Sequence, residues 1–239
     1  MNRPEALSKI TAAILAGGLG SRLKSVVADR PKALAEINGR PFLAYLLDQL
    51  SGAGIRRVVL CTGYLADQVK QEVGHERGPL SILYSEEKTP LGTAGALKNA
   101  EEFFESDSVL VMNGDSYCDA DISAFRDWHD GRNSYGSLLL MKAFGANRYG
   151  FVHSDHDDVI IEFNEKKEST EEGWINAGIY LLRADLIKAV PENRAVSLER
   201  EMFPLWASKR ILHGYQHHGN FIDIGIPADY EKAKGFFEK

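Results

Sequence analysis

The chain has 239 residues, of which 44% are hydrophobic and 26% are charged, and its formal net charge at pH 7 is −6. This length suffices for one large α/β domain or two small ones, and the acidic balance argues against a general nucleic-acid or membrane-surface binder. The N-terminus lacks the apolar segment of a signal peptide, and no run approaches the roughly 18 apolar residues that span a bilayer. We therefore expect a cytoplasmic protein in which Cys61 and Cys118 are reduced thiols.

The first half of the chain alternates between strand and helix patterns. Short apolar runs predict four strands, at 11–16, 56–62, 80–85 and 108–115. Apolar residues at helical spacing predict three helices between them, at 41–54, 64–73 and 93–104. This alternation predicts a parallel sheet with right-handed crossovers and helices on its faces.

After residue 130 the strand patterns lie closer together. They occur at 135–143, 149–155, 158–165, 174–183 and 220–225, and helices are predicted at 197–208, with Ser197 as N-cap, and at 227–239. The closely spaced strands predict a mixed or antiparallel extension laid over the first half. Because no linker or repeat interrupts the chain, we predict one domain, 1–239, with two lobes, at 11–130 and 131–239. The predicted fold class is α/β, with a Rossmann-like mixed, mainly parallel central sheet flanked by helices.

A glycine-rich stretch, GGLGSRL, follows the first predicted strand at 17–23. Leu23 stands where a dinucleotide-binding loop needs its third glycine, and Arg22 stands where a Walker A loop needs its second. Glycines still allow the backbone amides of a loop to turn towards a phosphate. Arg22 and Lys32 could neutralise a polyphosphate there, and Pro31 limits where the Lys32 side chain starts. The alternative is that both are surface cations in a long loop.

Two aspartates each end an apolar run. Asp115 follows the predicted strand at 108–115, and Asp223 lies in the last one. Ligands of open α/β sheets bind at the carboxyl ends of strands, and Mg²⁺ often takes one or two protein carboxylates. The pair therefore predicts a metal site, whereas either aspartate alone could be a turn former or a helix cap. A D-A-D sequence at 119–121 has the form of a metal-binding D-x-D motif, but capping of a helix explains it better.

Several stretches together resemble one enzyme family. LAGGLGSRL and RPKALAEINGRP resemble the signature of the sugar-1-phosphate nucleotidylyltransferases, and the resemblance continues through EKTPLGTAGAL, VLVMNGDSY, EFNEKK, INAGIY and FIDIGIPADY, over about residues 11–231. It implies the nucleotide-diphospho-sugar transferase fold, which is GT-A-like, with a nucleotide-binding lobe at 11–130 and a sugar-phosphate-binding lobe at 131–239. It also implies a reaction that joins a nucleoside triphosphate to a sugar 1-phosphate and releases pyrophosphate.

The resemblance also implies roles for individual residues. The implied catalytic residues are Arg22, Lys32 and Lys166. The implied nucleotide-binding residues are Ala16, Gly17, Gly18, Gly20, Gly92, Thr93 and Gly95. The implied sugar-phosphate-binding residues are Gly150, Glu165, Lys166, Asn176 and Gly178, and a divalent metal, Mg²⁺, is implied at Asp115 and Asp223.

Within this family the sequence looks most like the heptose-1-phosphate guanylyltransferases, with the mannose-1-phosphate guanylyltransferases as close relatives. That likeness implies GTP and D-glycero-α-D-manno-heptose 1-phosphate as substrates, for bacterial surface polysaccharide. Transfer from dTTP, UTP or CTP is an alternative. Alternatives from other classes are a metal-dependent GT-A glycosyltransferase, a dinucleotide oxidoreductase and a non-catalytic nucleotide sensor. A homodimer is a general expectation for soluble enzymes.

Overall fold

The computed structural model describes residues 7–23, 25–27, 29–144, 150–165 and 172–238, and describes only the backbone of residues 144, 150 and 165. The strands are β1 (Thr11–Leu15), β2 (Glu36–Ile37), β3 (Arg40–Pro41), β4 (Arg57–Thr62), β5 (Glu76–Arg77), β6 (Leu80–Glu86), β7 (Ser108–Asn113), β8 (Ser116–Cys118), β9 (Gly136–Phe144), β10 (Gly150–Ser154), β11 (Ile160–Glu165), β12 (Glu172–Arg183), β13 (Leu212–His217) and β14 (Phe221–Asp223). The α-helices are α1 (Phe42–Ala53), α2 (Ala66–Val73), α3 (Gly92–Asn99), α4 (Ile122–Gly131), α5 (Ala184–Lys188), α6 (Phe203–Ser208) and α7 (Pro227–Phe236). Short 3₁₀ turns cover Lys32–Leu34 and Glu101–Phe103, and a π-helical turn covers Leu198–Met202.

The centre of the fold is a parallel sheet. Strand β1 pairs in parallel with β4 on one side and with β7 on the other, and β4 pairs in parallel with β6. The first four residues of β1 and the last five of β4 are buried, as expected for strands that are covered on both faces. Apolar side chains pack on the two faces in separate clusters. The predicted parallel α/β arrangement is confirmed.

The strands of the second half continue this sheet sideways. Strand β12 pairs antiparallel with β7, and β9, β10 and β11 follow in antiparallel pairs. The predicted mixed or antiparallel extension is confirmed, but it lies beside the first half and not over it, because β12 hydrogen-bonds to the edge of β7 and satisfies its backbone groups. Strand β13, which the apolar pattern did not predict, pairs in parallel with β9. Its alternation of buried and partly exposed residues includes too few apolar side chains to mark a strand.

A small antiparallel ribbon stands where β7 ends. Strand β14 pairs with β8 so that Asp223 lies opposite Ser116, the residue that follows Asp115. The aromatic ring of Tyr117 in β8 packs edge-on against Phe236 at the end of α7. The ribbon thus joins two chain segments that lie more than a hundred residues apart, and it brings the two predicted metal ligands to one place.

The helix ends follow local sequence signals. The side chain of Asp121 accepts a hydrogen bond from the Ala124 amide at 3.0 Å, so the D-A-D sequence caps α4 as predicted. The Ser197 hydroxyl likewise accepts from the Arg200 amide at 3.2 Å. Helix α3 is shorter than predicted, because the chain continues from Asn99 into a 3₁₀ turn.

Two further expectations concern the whole chain. Cys61 and Cys118 are both free and buried, as predicted. The helices of the described residues include none with the length and apolar character that crossing a bilayer requires.

Candidate active site

A cleft of about 470 Å³ opens at the carboxyl ends of the parallel strands. Its walls include the glycine loop, the end of β7 and the beginning of α3. The predicted residues that line it are Ala16, Gly17, Gly18, Gly20, Arg22, Lys32, Gly92, Thr93 and Asp115. A cavity of about 570 Å³ lies at the opposite end of the sheet, beside Ser108 and Arg183, and contains none of these residues.

The glycine loop and Lys32 are packed against each other. Gly20 has a φ of +58°, and a Cβ at this position would lie 3.1 Å from the Cβ of Lys32. A side chain there would therefore be strained and crowded at once. Arg22, two residues further, is exposed and faces the cleft. Two cations, the exposed Arg22 and the largely buried Lys32, thus lie beside the same cavity.

Lys32 meets the predicted metal ligands. Its Nζ donates to Oδ2 of Asp115 at 2.6 Å, and only 11% of the Lys32 side chain is exposed. Burial, together with the negative charge of Asp115, raises the pKa of Asp223 to about 6, while Lys32 and the Gly225 amide partly offset the increase. Two carboxylates that repel each other, with oxygen ligands only, suit a divalent cation such as Mg²⁺. The donor set present therefore fits a metal ion.

At the beginning of α3, only some of the predicted nucleotide-binding residues face the cleft. Gly92 and Thr93 line the cleft, but Gly95 is buried on another side of the helix, and Ala96 faces the cavity instead. The Thr93 hydroxyl donates to Oε2 of Glu199 at 2.7 Å and accepts from the Leu198 amide at 2.8 Å. Its one hydrogen is thus committed within the protein.

Two of the predicted sugar-side residues, Asn176 and Gly178, are not part of the described lining of the cleft. Asn176 donates through Nδ2 to the Tyr180 hydroxyl at 2.8 Å and accepts through Oδ1 from the Gly178 amide at 2.9 Å. These bonds form where the register of β12 shifts, and Gly178 lies against Asn113 and Ser116.

Two further predicted sugar-side residues, Gly150 and Glu165, are cross-strand partners in β10 and β11. Lys166 lies outside the described residues. Gly150 and Glu165 are not among the described residues that line the cavity, and the predicted role of Lys166 stays a prediction.

Two carboxylates of the cleft were missed by the sequence analysis, Glu87 and Glu199. Glu87 accepts from the Leu91 amide at 2.9 Å, and burial raises the pKa of its carboxyl group. Its side chain fills the space left by Gly17 and Gly63, where a Cβ would approach it within 2.9 Å. Both glutamates lie in charged stretches that look like solvated surface. The sequence feature that could have identified Glu87 is its position directly after β6, at the carboxyl edge of the sheet.

Comparison with known proteins assigns the chain to a family. The family model described as nucleotidyl transferase matches residues 11–239. The chain belongs to this family. It is therefore an enzyme of the nucleotidyltransferase class, and the predicted resemblance is confirmed. Enzymes of this family generally use a divalent metal ion, which agrees with the fit of Asp115 and Asp223.

Individual relatives cover nearly the whole chain. It is 38% identical over 223 residues to the D-glycero-alpha-D-manno-heptose 1-phosphate guanylyltransferase of Campylobacter jejuni, covering 92% of this chain and 96% of that protein. It is 33% identical over 231 residues to the mannose-1-phosphate guanylyltransferase of Mycobacterium tuberculosis, covering 95% of this chain and 64% of that protein. The chain thus spans less than two thirds of the length of the latter relative.

Solved structures support the same fold. The crystal structure of HddC from Yersinia pseudotuberculosis superimposes with a TM-score of 0.85 at 35% identity, covering 96% of this chain and 100% of that one. A second structure of HddC, complexed with GMP-PN, gives a TM-score of 0.84. The predicted nucleotide-sugar transferase fold is confirmed, and the oxidoreductase and glycosyltransferase alternatives lose their support.

Proposed function

We propose that this protein joins GTP and D-glycero-α-D-manno-heptose 1-phosphate to give GDP-heptose and pyrophosphate. The observation that carries the proposal is the gathering of the glycine loop, Lys32 and Asp115 around one cleft, with Asp223 close enough to interact with the charges of Asp115 and Lys32. Near full-length similarity to heptose 1-phosphate guanylyltransferases supports the choice of substrates. In this proposal the metal is Mg²⁺, the enzyme works in the cytoplasm, and the product serves bacterial surface polysaccharide synthesis. A homodimer stays a prediction.

The proposed reaction is an in-line displacement at the α-phosphorus of GTP. A phosphate oxygen of the sugar 1-phosphate forms the new P–O bond, and the bond from the α-phosphorus to the bridging oxygen breaks. Pyrophosphate leaves with the electron pair. The second pKa of a phosphate monoester is about 6, so the nucleophile is mostly dianionic at neutral pH and needs no catalytic base.

The protein contributes positioning and charge. Arg22, exposed at the cleft, would bind the departing pyrophosphate. Lys32, held in place by Asp115, would neutralise the α-phosphate. In the same proposal Lys166 binds the attacking phosphate. A bound divalent ion at Asp115 and Asp223 would supply further neutralisation of phosphate charge.

Glu87 supports guanine as the base. Guanine presents N1–H and an exocyclic amine side by side, and a carboxylate can accept hydrogen bonds from both. Uracil and thymine present one N–H between two carbonyl oxygens. A carboxylate repels these oxygens because both groups are acceptors. Because Glu87 lies in the cleft with one oxygen held by the Leu91 amide, its carboxylate is oriented before the base arrives. We propose that this side chain selects GTP.

A substrate panel tests the proposal. Pyrophosphate release is measured with GTP, ATP, UTP, CTP and dTTP, each with heptose 1-phosphate and mannose 1-phosphate. We expect turnover with GTP and a preference for the heptose. Turnover only with dTTP or CTP would refute guanylyl transfer, and a preference for mannose 1-phosphate would refute the heptose assignment.

A pair of variants tests the role of Glu87. In Glu87→Gln the kcat/KM for GTP should fall about 10- to 100-fold, the effect of losing a hydrogen bond to a charged acceptor. The matched control is Glu86→Gln, because Glu86 is adjacent and exposed and pairs with Lys70 on the surface. If both variants prefer GTP over the other nucleoside triphosphates to the same degree, selection of the base by Glu87 is contradicted.

A further inference from the structure

The order of the strands indicates on which side of the cleft the second substrate lies. Across the sheet the strands follow one another as β12, β7, β1, β4 and β6. In the proposed function Glu87, directly after β6, accepts the base, and the glycine loop after β1 contacts the triphosphate. Asp115, after β7, belongs to the α-phosphorus. Because the base and the phosphates occupy the strand ends from β6 to β7, we expect the attacking sugar 1-phosphate on the remaining side, next to β12.

The last residue of β7, Asn113, stands at this boundary and lines the cleft. The pairing of β7 with β12 ends one residue earlier, at Met112 and Ile179. Beyond that point the register of β12 with β9 shifts between Asn176 and Tyr180, so the strand bulges there. Irregularities of this kind are frequent beside active sites, because they redirect side chains. Asn113 therefore lies between the cleft and the bulge of β12.

The backbone of the bulge packs directly against Asn113. Gly178 has a φ of +77°, and a Cβ at this position would lie 2.9 Å from Nδ2 of Asn113 and 2.5 Å from Oγ of Ser116. The Gly178 amide donates to Oδ1 of Asn176 at 2.9 Å, and the Ser116 hydroxyl donates to the Ala177 carbonyl at 3.4 Å. These contacts fix the bulge to the end of β7 and confine the nitrogen end of the Asn113 side chain.

The hydroxyl group of Tyr180 connects the two asparagines. It accepts from Nδ2 of Asn176 at 2.8 Å, and the Asn113 side chain hydrogen-bonds to the same hydroxyl. Tyr180 is fully buried, and its ring packs edge-on against Phe203 with the ring centroids 4.9 Å apart. The carboxamide of Asn113 is therefore held with its nitrogen towards Tyr180 and Gly178, which determines where its oxygen lies.

That oxygen has no partner within the described part of the chain. Oδ1 of Asn113 is buried and forms no hydrogen bond with any described residue. A buried acceptor without a donor is unfavourable and is rare in native proteins. Since Asn113 lines the cleft, a donor on a bound substrate would supply the missing hydrogen bond. Sugar hydroxyl groups donate hydrogen bonds, whereas the oxygens of an ionised phosphate only accept them.

We propose that Asn113 is a specificity-determining residue whose Oδ1 accepts a hydrogen bond from a hydroxyl group of the sugar 1-phosphate, and that Tyr180 is a positioning residue that orients this carboxamide. The inference rests on the proposed function, which supplies the two substrates and their order along the cleft. The ribose of the nucleotide also carries hydroxyl groups, and the experiment separates the two sources.

The first measurement compares kinetic constants. It uses the nucleoside triphosphate and the sugar 1-phosphate that the substrate panel shows the wild type to use, so a wrong base or sugar leaves the test intact. Absence of turnover with every pair would refute the proposed function and this inference together. In Asn113→Ala we expect kcat/KM for the sugar 1-phosphate to fall about tenfold or more, while KM for the nucleotide changes less than about twofold.

A matched control removes a carboxamide elsewhere. Asn99 is exposed at the end of α3 and donates to the Ser85 hydroxyl at 2.8 Å, outside the lining of the cleft. Asn99→Ala should therefore keep the constants of the wild type for both substrates.

The second measurement tests the positioning role of Tyr180. Tyr180→Phe keeps the ring and removes only the oxygen, so we expect the same constant to fall about 3- to 10-fold. The double variant with Asn113→Ala should be no worse than Asn113→Ala alone, because Tyr180 acts through that side chain. The control is Tyr45→Phe, since the Tyr45 hydroxyl donates to the Ile37 carbonyl at 3.0 Å outside the cleft. A purely structural role of Tyr180 would affect both substrates alike.

The third measurement uses substrates that lack single hydroxyl groups. The wild type should lose about tenfold in kcat/KM with the deoxy sugar 1-phosphate that lacks the accepted hydroxyl, and Asn113→Ala should lose nothing further with that analogue. With the 2′-deoxy and 3′-deoxy forms of the nucleotide, the losses in the two enzymes should be equal.

Four results would overturn the inference. They are unchanged constants in Asn113→Ala, an equal loss for both substrates, coupling of Asn113 to a ribose hydroxyl, and wild-type activity that is undiminished with every deoxy sugar. Additive losses in the double variant would remove the positioning role of Tyr180. If Asn113→Ala does not fold, as judged by circular dichroism, Asn113→Leu takes its place, because leucine has a similar size and no polar side-chain atoms.

Discussion

Gly92 is the position where one methyl group should disturb both stability and the site. Its φ of +73° lies in the left-handed region, which disfavours a side chain by about 1–2 kcal/mol. A Cβ there would also lie 2.5 Å from the carbonyl oxygen of Val196, which is backbone and cannot turn away. Relief requires the two segments to separate, which weakens the hydrogen bonds of Val196 to Leu91 and Ala94, each contributing about 0.5–1.5 kcal/mol.

We therefore expect Gly92→Ala to lower the free energy of unfolding by about 2–4 kcal/mol, as measured by urea unfolding with fluorescence and circular dichroism. The control is Gly52→Ala, since Gly52 lies within α1 with no atom within 4 Å of the added Cβ, and this change should stabilise by about 0.5–1 kcal/mol. A Gly92→Ala protein within about 0.5 kcal/mol of the wild type would show that the contact between α3 and Val196 is not rigid.

Three further predictions concern charge and reactivity. Arg22→Ala should lower turnover by orders of magnitude without changing the unfolding transition, because the side chain is exposed, and near-normal turnover would refute its catalytic role. In EDTA, Asp223→Asn should raise the free energy of unfolding at pH 7.5 by at most about 3 kcal/mol, since the folded-state pKa of about 6 lies above the ordinary 3.8 and ionisation above pH 6 is unfavourable. That gain should largely disappear near pH 4, where the wild-type carboxyl group is protonated in the folded protein. If urea unfolding gives an equal gain at both pH values, ionisation of Asp223 is not its cause. Burial raises the pKa of the Cys61 and Cys118 thiols to about 12, so iodoacetamide at pH 8 should modify neither in the folded protein and both after unfolding, as read by mass spectrometry.

The sequence by itself determined the parallel half of the fold and the end of the cleft that is proposed to bind phosphate. Buried parallel strands are continuous apolar runs, so β1, β4, β6 and β7 were visible in the pattern. The glycine loop directly follows β1, and Asp115 lies two residues after the end of β7. Since the carboxyl ends of parallel strands share one edge, their proximity followed from local sequence alone.

Only the tertiary structure decided the rest. The partners of Glu199 lie both beside it and a hundred residues away, and no local pattern distinguishes this glutamate from Glu201 on the same turn. Thr93 was predicted as a nucleotide contact, and only the fold shows that its hydroxyl also lies between the Leu198 amide and Glu199. Strands β9 to β12 were predicted, but their place in the sheet beyond β7 depends on which edge was free to accept hydrogen bonds. Secondary structure follows from periodicity along the chain, whereas the orientation of a polar side chain depends on donors and acceptors supplied from elsewhere in the fold.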